Sequence, residues 1–516
     1  MRFFNTAGPC KPDMHYMLPA STRLPELRRL IDQQLYFVIH APRQVGKTTM
    51  MLQLAQELMA EGRYTALLVS MEVGAAFNDE IGKAELAMLG AWRENVRAWL
   101  PPELQPSEWP QADAGQRIFA ALADWSHNSA RPLVVFLDEI DALENGALIS
   151  TLRQLRNGYN NRPQGFPWSL GLIGMRDVRD YKVKSGGSER LNTASPFNIK
   201  ARSLTIGNFT ADEVATLYRQ HTTETGQAFT DEAVARAFYL TQGQPYLANA
   251  LAKVAVEELQ PDLALPITIS DIEEAKEILI QRRETHLDSL AERLREERVR
   301  RVIEPILAGD ELVEIPDDDR RFALDLGLVT SVNGGHLQIA NPIYREVIPR
   351  VLTGSAQDTI IQETVWYMLL DGRLDMDKLL TAFQQFFREN SEHWVERFDY
   401  KEAGPQLLLQ AFLHRVVNGG GRIEREYGLG RGRTDLLVLW HYPGGVQRIV
   451  LELKILRKAL AQTITDGLVQ TLEYGERCNA DDLHFVVFDR SKKPWSKKIF
   501  QRTRKLQGVT INVWGM

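Results

Sequence analysis

The chain has 516 residues, of which 44% are hydrophobic and 25% charged, and its formal net charge is −6. One hydrophobic core rarely serves more than about 250 to 300 residues, so several domains are expected. The negative charge argues against attraction of the whole chain to nucleic acid or to a membrane surface.

Cysteine content and hydropathy limit where the protein works. The two cysteines, Cys10 and Cys478, have no CxxC spacing and therefore indicate neither a disulfide framework nor a zinc site. The first ten residues lack the apolar core of a signal peptide, and no run reaches the roughly 18 apolar residues of a membrane span. A cytoplasmic protein without a membrane partner is expected.

Short apolar runs alternate with helical patterns in the first part of the chain. They lie at 36–40, 66–70, 133–137, 170–174 and 203–206. Continuous apolar strands between helices are typical of a parallel sheet covered on both faces. The pattern predicts an α/β fold over 1–207.

Beyond this region the pattern becomes helical. Thr210 and Glu213 form a capping box, Thr230 opens a second helix, and a charged helix is predicted over 271–301. Strands at 329–332 and 336–339 flank an Asn-Gly-Gly turn, which predicts a hairpin. The order predicts a helical lid over 208–285 and a winged helix over 286–352.

A phosphate-binding loop is predicted after the first strand. Residues Ala41–Thr48 read A-P-R-Q-V-G-K-T, with Ala41 at the first glycine of GxxxxGK[ST]. A loop of this kind turns backbone N–H groups and a helix N-terminus toward phosphate. Lys47 is expected to meet the β- and γ-phosphates of ATP, and Thr48 to bind Mg²⁺. The residues expected to hold the nucleotide are Arg43, Gln44, Val45, Gly46, Lys47, Thr48 and Thr49.

An acidic pair follows the third apolar run. Asp138 is placed to hold Mg²⁺ through water, and Glu139 to orient an attacking water. Arg176, just after the fourth run, is either a sensor of the γ-phosphate or an ordinary surface arginine.

Residues 1 to about 350 resemble STAND-type or archaeal-type AAA-like ATPases, which are related to origin-recognition ATPases. The segments that carry the resemblance are APRQVGKTT, LVVFLDEID, GMRDVRDY, SPFNI and TQGQPYL. The resemblance implies ATP binding and hydrolysis by Lys47, Asp138 and Glu139, with Arg176 as sensor. It also implies that a lid segment with Gly243 and Pro245 contacts nucleotide, and that nucleotide drives switching or formation of a homo-oligomer.

A linker is predicted at 353–357, and the region 353–516 then offers strands at 436–440, 449–453 and 484–488. Glu452 and Lys454 share one face of a strand, and Asp435 begins a neighbouring one. Two converging carboxylates, with the Leu453 carbonyl as a further ligand, suit Mg²⁺ or Mn²⁺. Lys454 would then steer a water and stabilise charge on a phosphate. The alternative is a surface salt bridge.

The same region, over about 405–490, resembles the PD-(D/E)XK nuclease superfamily. The matching pieces are Gly432–Asp435, Glu452–Lys454 and a helix with Gln470 and Tyr474. The resemblance implies a restriction-endonuclease-like α/β domain with Asp435, Glu452 and Lys454 as catalytic residues. Members often carry a glutamate on an earlier helix, where this chain offers Gln406 or Gln410; Glu426 is a possible substitute.

Together these features predict an ATP-regulated nuclease with DNA as its expected substrate. By the resemblance alone, its setting is prokaryotic defence, antiviral defence included, or mobile-element biology. Two alternatives remain: a nucleotide-switched binding or scaffold ATPase with a degenerate nuclease domain, and a nucleic-acid remodelling ATPase. The C-terminal stretch from Asp481 carries eight Lys or Arg against three Asp, which indicates either a solvated face or a local basic patch.

Overall fold

The computed structural model divides the chain into two units. Unit 1 comprises Met1–Gln281 and Asp325–Gly327, and unit 2 comprises Arg282–Leu324 and Leu328–Met516. The four-domain division with boundaries at 207, 285 and 352 stays a prediction. The structure describes residues 1–175, 199–282, 292–308, 315–332, 336–352, 367–395, 404–417, 421–426, 434–457, 459–491 and 493–516.

Unit 1 is built on a parallel sheet of five strands. The strands are β1 (Tyr36–His40), β2 (Thr65–Ser70), β3 (Leu133–Asp138), β4 (Ser169–Gly174) and β5 (Lys200–Thr205). Their spatial order is β2-β3-β4-β1-β5, and all neighbours are parallel. The α/β prediction with a parallel sheet is confirmed, and each predicted run corresponds to one strand.

Helices cover both faces of this sheet, as the continuous apolar strands require. On one face, Val38, Val135 and Leu172 pack with the helices Ile81–Trp99, Arg117–Asn128 and Asn145–Gly158. On the other face, Ile39 and Phe136 pack with Pro25–Asp32 and Lys47–Ala60. The short helix Ala20–Arg23 precedes these elements. Alternate residues of each strand thus serve two separate cores.

A buried carboxylate joins three of these helices. Glu85 is 1% exposed. Its oxygens accept hydrogen bonds from the backbone N–H groups of Gly115 (2.8 Å) and Arg117 (3.2 Å) and from the Gln154 amide (2.8 Å). The charge is tolerated inside the protein because these donors replace its hydration.

Four helices follow the sheet: Ala211–Thr225, Asp231–Thr241, Pro245–Val254 and Ile269–Arg282. The predicted capping box is present, because the Thr210 hydroxyl accepts from the Glu213 N–H and the Glu213 carboxylate accepts from the Thr210 N–H. The Thr230 hydroxyl caps the second helix in a similar way. These side chains satisfy backbone donors that a helix start leaves open.

The prediction of one helix over 271–301 was wrong. Within the described residues, one helix spans Ile269–Arg282 and another begins at Glu297 after a turn at 294–296. Between them, the N–H groups of Arg295 and Glu296 donate to carbonyls three residues back, at Glu292 and Arg293. This tight turn replaces the α-helical bonding that an unbroken run of charged helix formers favours.

The predicted hairpin forms at its predicted positions. Strands β6 (Val329–Val332) and β7 (His336–Ile339) pair antiparallel, while the turn 333–335 lies outside the described residues. The neighbouring helices are Glu297–Ala308, Asp317–Asp325 and Pro342–Leu352. The Asp317–Asp319 run forms the first turn of its helix, where negative charge is stabilised by the helix dipole. The predicted linker at 353–357 lies outside the described residues.

The second sheet, in unit 2, has six strands. They are β8 (Gly421–Glu426), β9 (Thr434–Tyr442), β10 (Gly445–Ile455), β11 (Asp482–Phe488), β12 (Phe500–Leu506) and β13 (Val509–Gly515). The order is β12-β13-β11-β10-β9-β8. β11 is parallel to β10 and β13, and the other pairs are antiparallel. Sequence analysis found β9, β10 and β11 but missed β8, β12 and β13.

Helices cover both faces of the second sheet. Met376–Val395 and Gly404–Val417 pack on the face that carries Leu451. Leu460–Cys478 packs on the face that carries Val450. A one-turn helix, Trp495–Lys498, precedes β12. No helix in the described part of the chain is long and apolar enough to span a membrane.

We expect Glu85→Ala to lower the free energy of unfolding of unit 1 by roughly 3 kcal/mol or more, because each buried donor left unpaired costs about 1 to 3 kcal/mol. Urea denaturation followed by tryptophan fluorescence measures this, since Trp92 and Trp125 lie in the same core. Glu94→Ala is the control on the same helix. Its exposed pair with Arg97 should contribute less than about 1 kcal/mol. Equal effects would contradict the role assigned to Glu85.

We expect His484 to make unit 2 less stable in acid. The ring is buried, its Nδ1 accepts from the Trp514 indole N–H at 3.2 Å, and burial lowers its pKa from 6.5 to about 3. Below pH 6.5 the imidazole of His484 binds a proton in the unfolded chain. In the folded protein the same ring stays neutral until the pH approaches 3. The free energy of unfolding should therefore fall by up to about 1.4 kcal/mol per pH unit between 6.5 and 3.

The variant His484→Asn keeps an acceptor but cannot titrate, so its unfolding free energy should fall less steeply in this window. Denaturation at a series of pH values measures the difference. His441→Asn, at an exposed position of β9, is the control. The same slope in His484→Asn as in the wild type would refute the assignment.

Candidate functional site

The phosphate-loop sequence adopts the backbone that the motif requires. β1 ends at His40, and the helix Lys47–Ala60 begins directly after Gly46, which has φ +90°. Ala41, at the first glycine position of the motif, keeps a negative φ and donates to the Gly174 carbonyl at 3.3 Å. Because the left-handed conformation is needed at Gly46 and not at Ala41, the alanine does not disturb the loop.

Lys47 is held inside the loop by two carbonyl oxygens. Its Nζ donates to Ala41 at 2.8 Å and to Pro42 at 2.7 Å. Burial lowers the pKa of Lys47 to about 8, although Asp141 and Asp138 oppose the shift. An ammonium group held by neutral carbonyls has no carboxylate to give up when it binds an anion. This placement suits a phosphate ligand.

Thr48 and Asp138 lie together at the carboxyl ends of the strands. The Thr48 hydroxyl donates to Asp138 Oδ2 at 2.7 Å, and the Glu139 N–H donates to Oδ1 at 3.0 Å. Asp138 is 5% exposed, and burial raises the pKa of its carboxyl group. A hydroxyl and a carboxylate in contact are the oxygen ligands that Mg²⁺ prefers, so the two residues fit the predicted ion.

Glu139 sits next to this pair in a left-handed backbone conformation, with φ +56°. Its side chain reaches solvent, but partial burial and the neighbouring Glu72 carboxyl raise its pKa to about 7. A carboxyl group poised near neutrality is suited to general-base chemistry. Glu72, which follows β2, was not found by sequence analysis.

The lid helices reach the phosphate loop through Gln244. Its Oε1 accepts from the Leu247 N–H at 2.6 Å and caps the helix Pro245–Val254, while its Nε2 lies 3.5 Å from the Gln44 carbonyl. Gly243, with φ +69°, approaches Phe209 so closely that a Cβ would lie 1.8 Å from the Phe209 carbonyl oxygen. Pro245 is the first residue of this buried helix, and its predicted contact with nucleotide stays a prediction.

A second connection runs through the start of the chain. Residues 2–17, which we call the N-terminal segment, are fixed to the lid helix Ala211–Thr225 by an Arg2–Glu224 ion pair and by Gln220, which donates to the Met17 carbonyl at 2.9 Å. The segment also bonds to the phosphate-loop helix, because the Cys10 N–H donates to Thr49 Oγ1 at 3.0 Å. Nothing in the local sequence pattern signals this contact.

The structure describes some of the other residues predicted for the nucleotide site and leaves one outside the described residues. Val45 is buried at 1% exposure, and Arg43 lies in the same loop. Arg176, the predicted sensor, lies outside the described residues. The roles of these side chains toward nucleotide stay predictions.

The second predicted site lies on the unit 2 sheet. Asp435 on β9 is directly opposite Glu452 on β10, and Glu426 on β8 is opposite Asp435. Directly opposite residues of paired strands point to the same face. Lys454 follows two positions along β10, and the Leu453 backbone lies between. The register thus brings Glu426, Asp435 and Glu452 to one row of the sheet, with Lys454 two positions further on the same face.

Glu452 is the most unusual of these residues. It is fully buried, and neither carboxylate oxygen has a hydrogen-bond partner among the described residues. Gln470, on the helix that covers this face, likewise has an unpaired Oε1 in the described structure. Gln406 is 4% exposed, but its helix packs on the opposite face through Leu408 and Leu409.

No group of three or more His, Cys, Asp or Glu side chains within the described ranges is arranged to hold a metal ion. The side chains of Asp435 and Glu426 are not among those described. The predicted Mg²⁺ or Mn²⁺ site on this sheet therefore stays a prediction that rests on Glu452 and on the register.

Residues 29–181 match the AAA domain family. They contain the phosphate loop with Lys47 and Thr48 and the strand that ends in Asp138. This part of the chain is an AAA-type P-loop ATPase domain, as its parallel sheet and site geometry also indicate. The prediction of an ATPase module is confirmed at this level.

Solved structures resemble the chain only distantly. A Walker-type ATPase of Pyrococcus abyssi has 12% identity and a TM-score of 0.47, covering 67% of this chain and 99% of its own. The Thermotoga maritima RuvB Holliday junction branch migration motor has 16% identity and a TM-score of 0.34, covering 64% and 93%. Cdc6p from Pyrobaculum aerophilum has 12% identity and a TM-score of 0.36, covering 67% and 97%. None of the curated proteins compared with the chain matches it significantly.

We expect Glu139→Gln to lower the kcat of ATP hydrolysis by about 100-fold or more, because the amide cannot accept a proton from water. The Kd for ATP should change little, since Lys47 and Thr48 are untouched. Phosphate release and binding of a fluorescent ATP analogue measure the two quantities. Glu144→Gln, an exposed position beyond the site, is the control. Lys47→Ala should lose the binding of ATP. An unchanged rate of ATP hydrolysis in Glu139→Gln would exclude the proposed role of Glu139 as general base.

Proposed function

We propose that this protein is an ATP-regulated, Mg²⁺-dependent nuclease. In this proposal the AAA-type ATPase domain controls a PD-(D/E)XK-like phosphodiesterase in unit 2, and DNA is the expected substrate. The hairpin β6–β7 with its neighbouring helices would form a winged helix. A STAND-like switching mode and nucleotide-dependent assembly of identical subunits belong to the same proposal.

The ATPase half rests on the geometry of unit 1. Thr48 and Asp138 would hold Mg²⁺, and Lys47 would exchange its two carbonyl partners for phosphate oxygens. When bound, Mg²⁺ neutralises charge on the phosphates. Glu139 accepts a proton from a water beside them, and its raised pKa suits that task.

The nuclease half rests on Glu452 above all. Among the described residues this carboxylate, at 0% exposure, has no hydrogen-bond donor, which is costly; in proteins such groups usually have a partner or a metal. The register places Asp435 directly across from it. A divalent cation held by Asp435, Glu452 and the Leu453 carbonyl would relieve that cost and polarise a phosphate. Lys454, on the same face, would stabilise negative charge there.

Regulation would pass through the two contacts between lid and phosphate loop. Gln244 touches Gln44, and Cys10 binds Thr49, so both reach the loop and the helix that receive the phosphates. A ligand that shifts Gln44 or Thr49 must alter these bonds. The helices Ala211–Thr225 and Pro245–Val254 would then respond to the state of the nucleotide.

A second candidate function is a nucleotide-switched ATPase that binds nucleic acid without cutting it. The observation in its favour is Gln406, a buried amide where related nucleases often carry a glutamate. A neutral amide oxygen is a weaker metal ligand than a carboxylate. Glu426 is the candidate replacement, since β8 places it opposite Asp435.

A cleavage assay on the full chain tests the proposal. Linear, supercoiled and single-stranded DNA and RNA are incubated with Mg²⁺ or Mn²⁺, with and without ATP. The wild type should cut DNA in a metal-dependent manner, and Asp435→Ala should lower the rate by at least about 100-fold. Asp466→Ala, at an exposed helical position of the same unit, should cut normally.

Four outcomes are decisive. Metal-dependent cutting that Asp435→Ala abolishes supports the nuclease. Binding of DNA without cutting under any condition rejects it in favour of the second candidate. Cutting by Lys47→Ala that no longer responds to ATP supports regulation by the ATPase domain, whereas a wild-type enzyme indifferent to ATP removes that part of the proposal.

A further inference from the structure

The end of the chain carries a concentrated positive charge. Residues 490–516 contain eight Lys or Arg and no Asp or Glu, although the whole chain has a net charge of −6. The structure places much of this charge on one element. β12 (Phe500–Leu506) holds Arg502, Arg504 and Lys505 at the edge of the second sheet.

These three side chains are exposed, and no acidic partner for them lies in the part of the chain that the structure describes. Among the described residues, none of them forms an ion pair with a carboxylate. Arg502 stacks on the Phe500 ring at 4.5 Å, and Arg504 donates to the Thr503 carbonyl at 3.3 Å, so both guanidinium groups keep donors for a ligand.

Protection against edge-to-edge aggregation does not explain the charge. Charged side chains of either sign on an exposed edge strand prevent it from pairing with a strand of another molecule. The opposite edge, β8, mixes two Arg with two Glu over Gly421–Glu426. β12 carries only positive charge, and its neighbours Lys497 and Arg490 add to it. Charge of one sign indicates an anionic partner.

The register relates this strand to the candidate nuclease site. Arg502 pairs with Val513, which pairs with Phe485, which pairs with Glu452. The row therefore continues from Arg502 to Asp435 on one face of the sheet. Arg504, two positions along, shares that face. With three strand spacings between them, the backbones at Arg502 and Glu452 lie roughly 14 Å apart.

We propose that the β12 edge, through Arg502, Arg504 and Lys505, binds the phosphate backbone of a nucleic acid and positions it for the Glu452 site. This rests on the nuclease proposal for its substrate class. Arg502 and Arg504 are spaced by roughly 7 Å along the strand, which lets two guanidinium groups engage separate phosphates of one chain. These contacts would recognise the negative charge of the phosphates and would not distinguish one base sequence from another.

Binding is measured on the full chain in EDTA, so that no cleavage is needed. Fluorescence anisotropy of labelled single-stranded and duplex DNA and of RNA gives Kd at several salt concentrations. Each lost phosphate contact lowers the slope of log Kd against log salt by about 0.7 to 0.9. The double variant Arg502→Gln/Arg504→Gln should lose about 1.4 to 1.8 of this slope and bind at least about tenfold more weakly at low salt.

Two further variants make the result specific. Arg502→Lys/Arg504→Lys keeps the charge and should retain most of the slope. Arg477→Gln removes an exposed charge of the same unit that lies between acidic neighbours, and it should bind as the wild type does. Equal melting temperatures show that the variants are folded.

The inference is overturned if the double Gln variant keeps the wild-type slope or if Arg477→Gln loses as much. It is also overturned if the wild type binds vesicles of anionic phosphatidylglycerol but neither DNA nor RNA. A protein that binds through β12 but never cuts would leave this inference standing and reject the nuclease. Cutting of DNA that depends on Asp435, together with DNA binding that the β12 variants do not change, would support the nuclease and reject the inference about β12.

Discussion

The contact on which the ATPase site depends is the 2.7 Å hydrogen bond from Thr48 to Asp138. Thr48 lies after β1, and Asp138 is the last residue of β3. These two strands are not neighbours, because β4 lies between them. Val38 and Leu137 both pair with Leu172, which brings the two strand ends level. A shift of one register position on either side would move Asp138 away from the loop. The apolar packing of three strands therefore sets the position of two polar groups.

Much of the fold could be predicted because its inner strands are apolar. β1, β3 and β10 are buried runs whose position in the chain is visible in the sequence. β8 and β12 lie at sheet edges and are rich in charge, so their pairing depends on neighbours that no local pattern reveals. The turn just before Glu297 was missed for a similar reason, since good helix formers precede and follow it.

The candidate sites were predictable where the functional residues form short motifs of consecutive residues. Lys47, Thr48 and Asp138 belong to short motifs next to strands, and the structure brings them together. The contacts that link the loop to the lid are different in kind. Gln244 reaches Gln44 across 200 residues of sequence, and Cys10 reaches Thr49 through its backbone. Each contact uses one backbone group, the Gln44 carbonyl as acceptor or the Cys10 N–H as donor. Backbone groups carry no residue signature, which is why only the folded structure identifies such a contact.

The attachment of the N-terminal segment to the lid helix has a consequence for synthesis of the chain. Residues 2–17 are synthesised about 200 residues before their partners on the helix Ala211–Thr225. At about 5 to 20 residues per second, that interval is of the order of 10 to 40 seconds. During it Phe4, which is 2% exposed in the folded protein, has no lid to cover it. This apolar segment must therefore remain soluble until the ATPase sheet that follows it in the chain has been made.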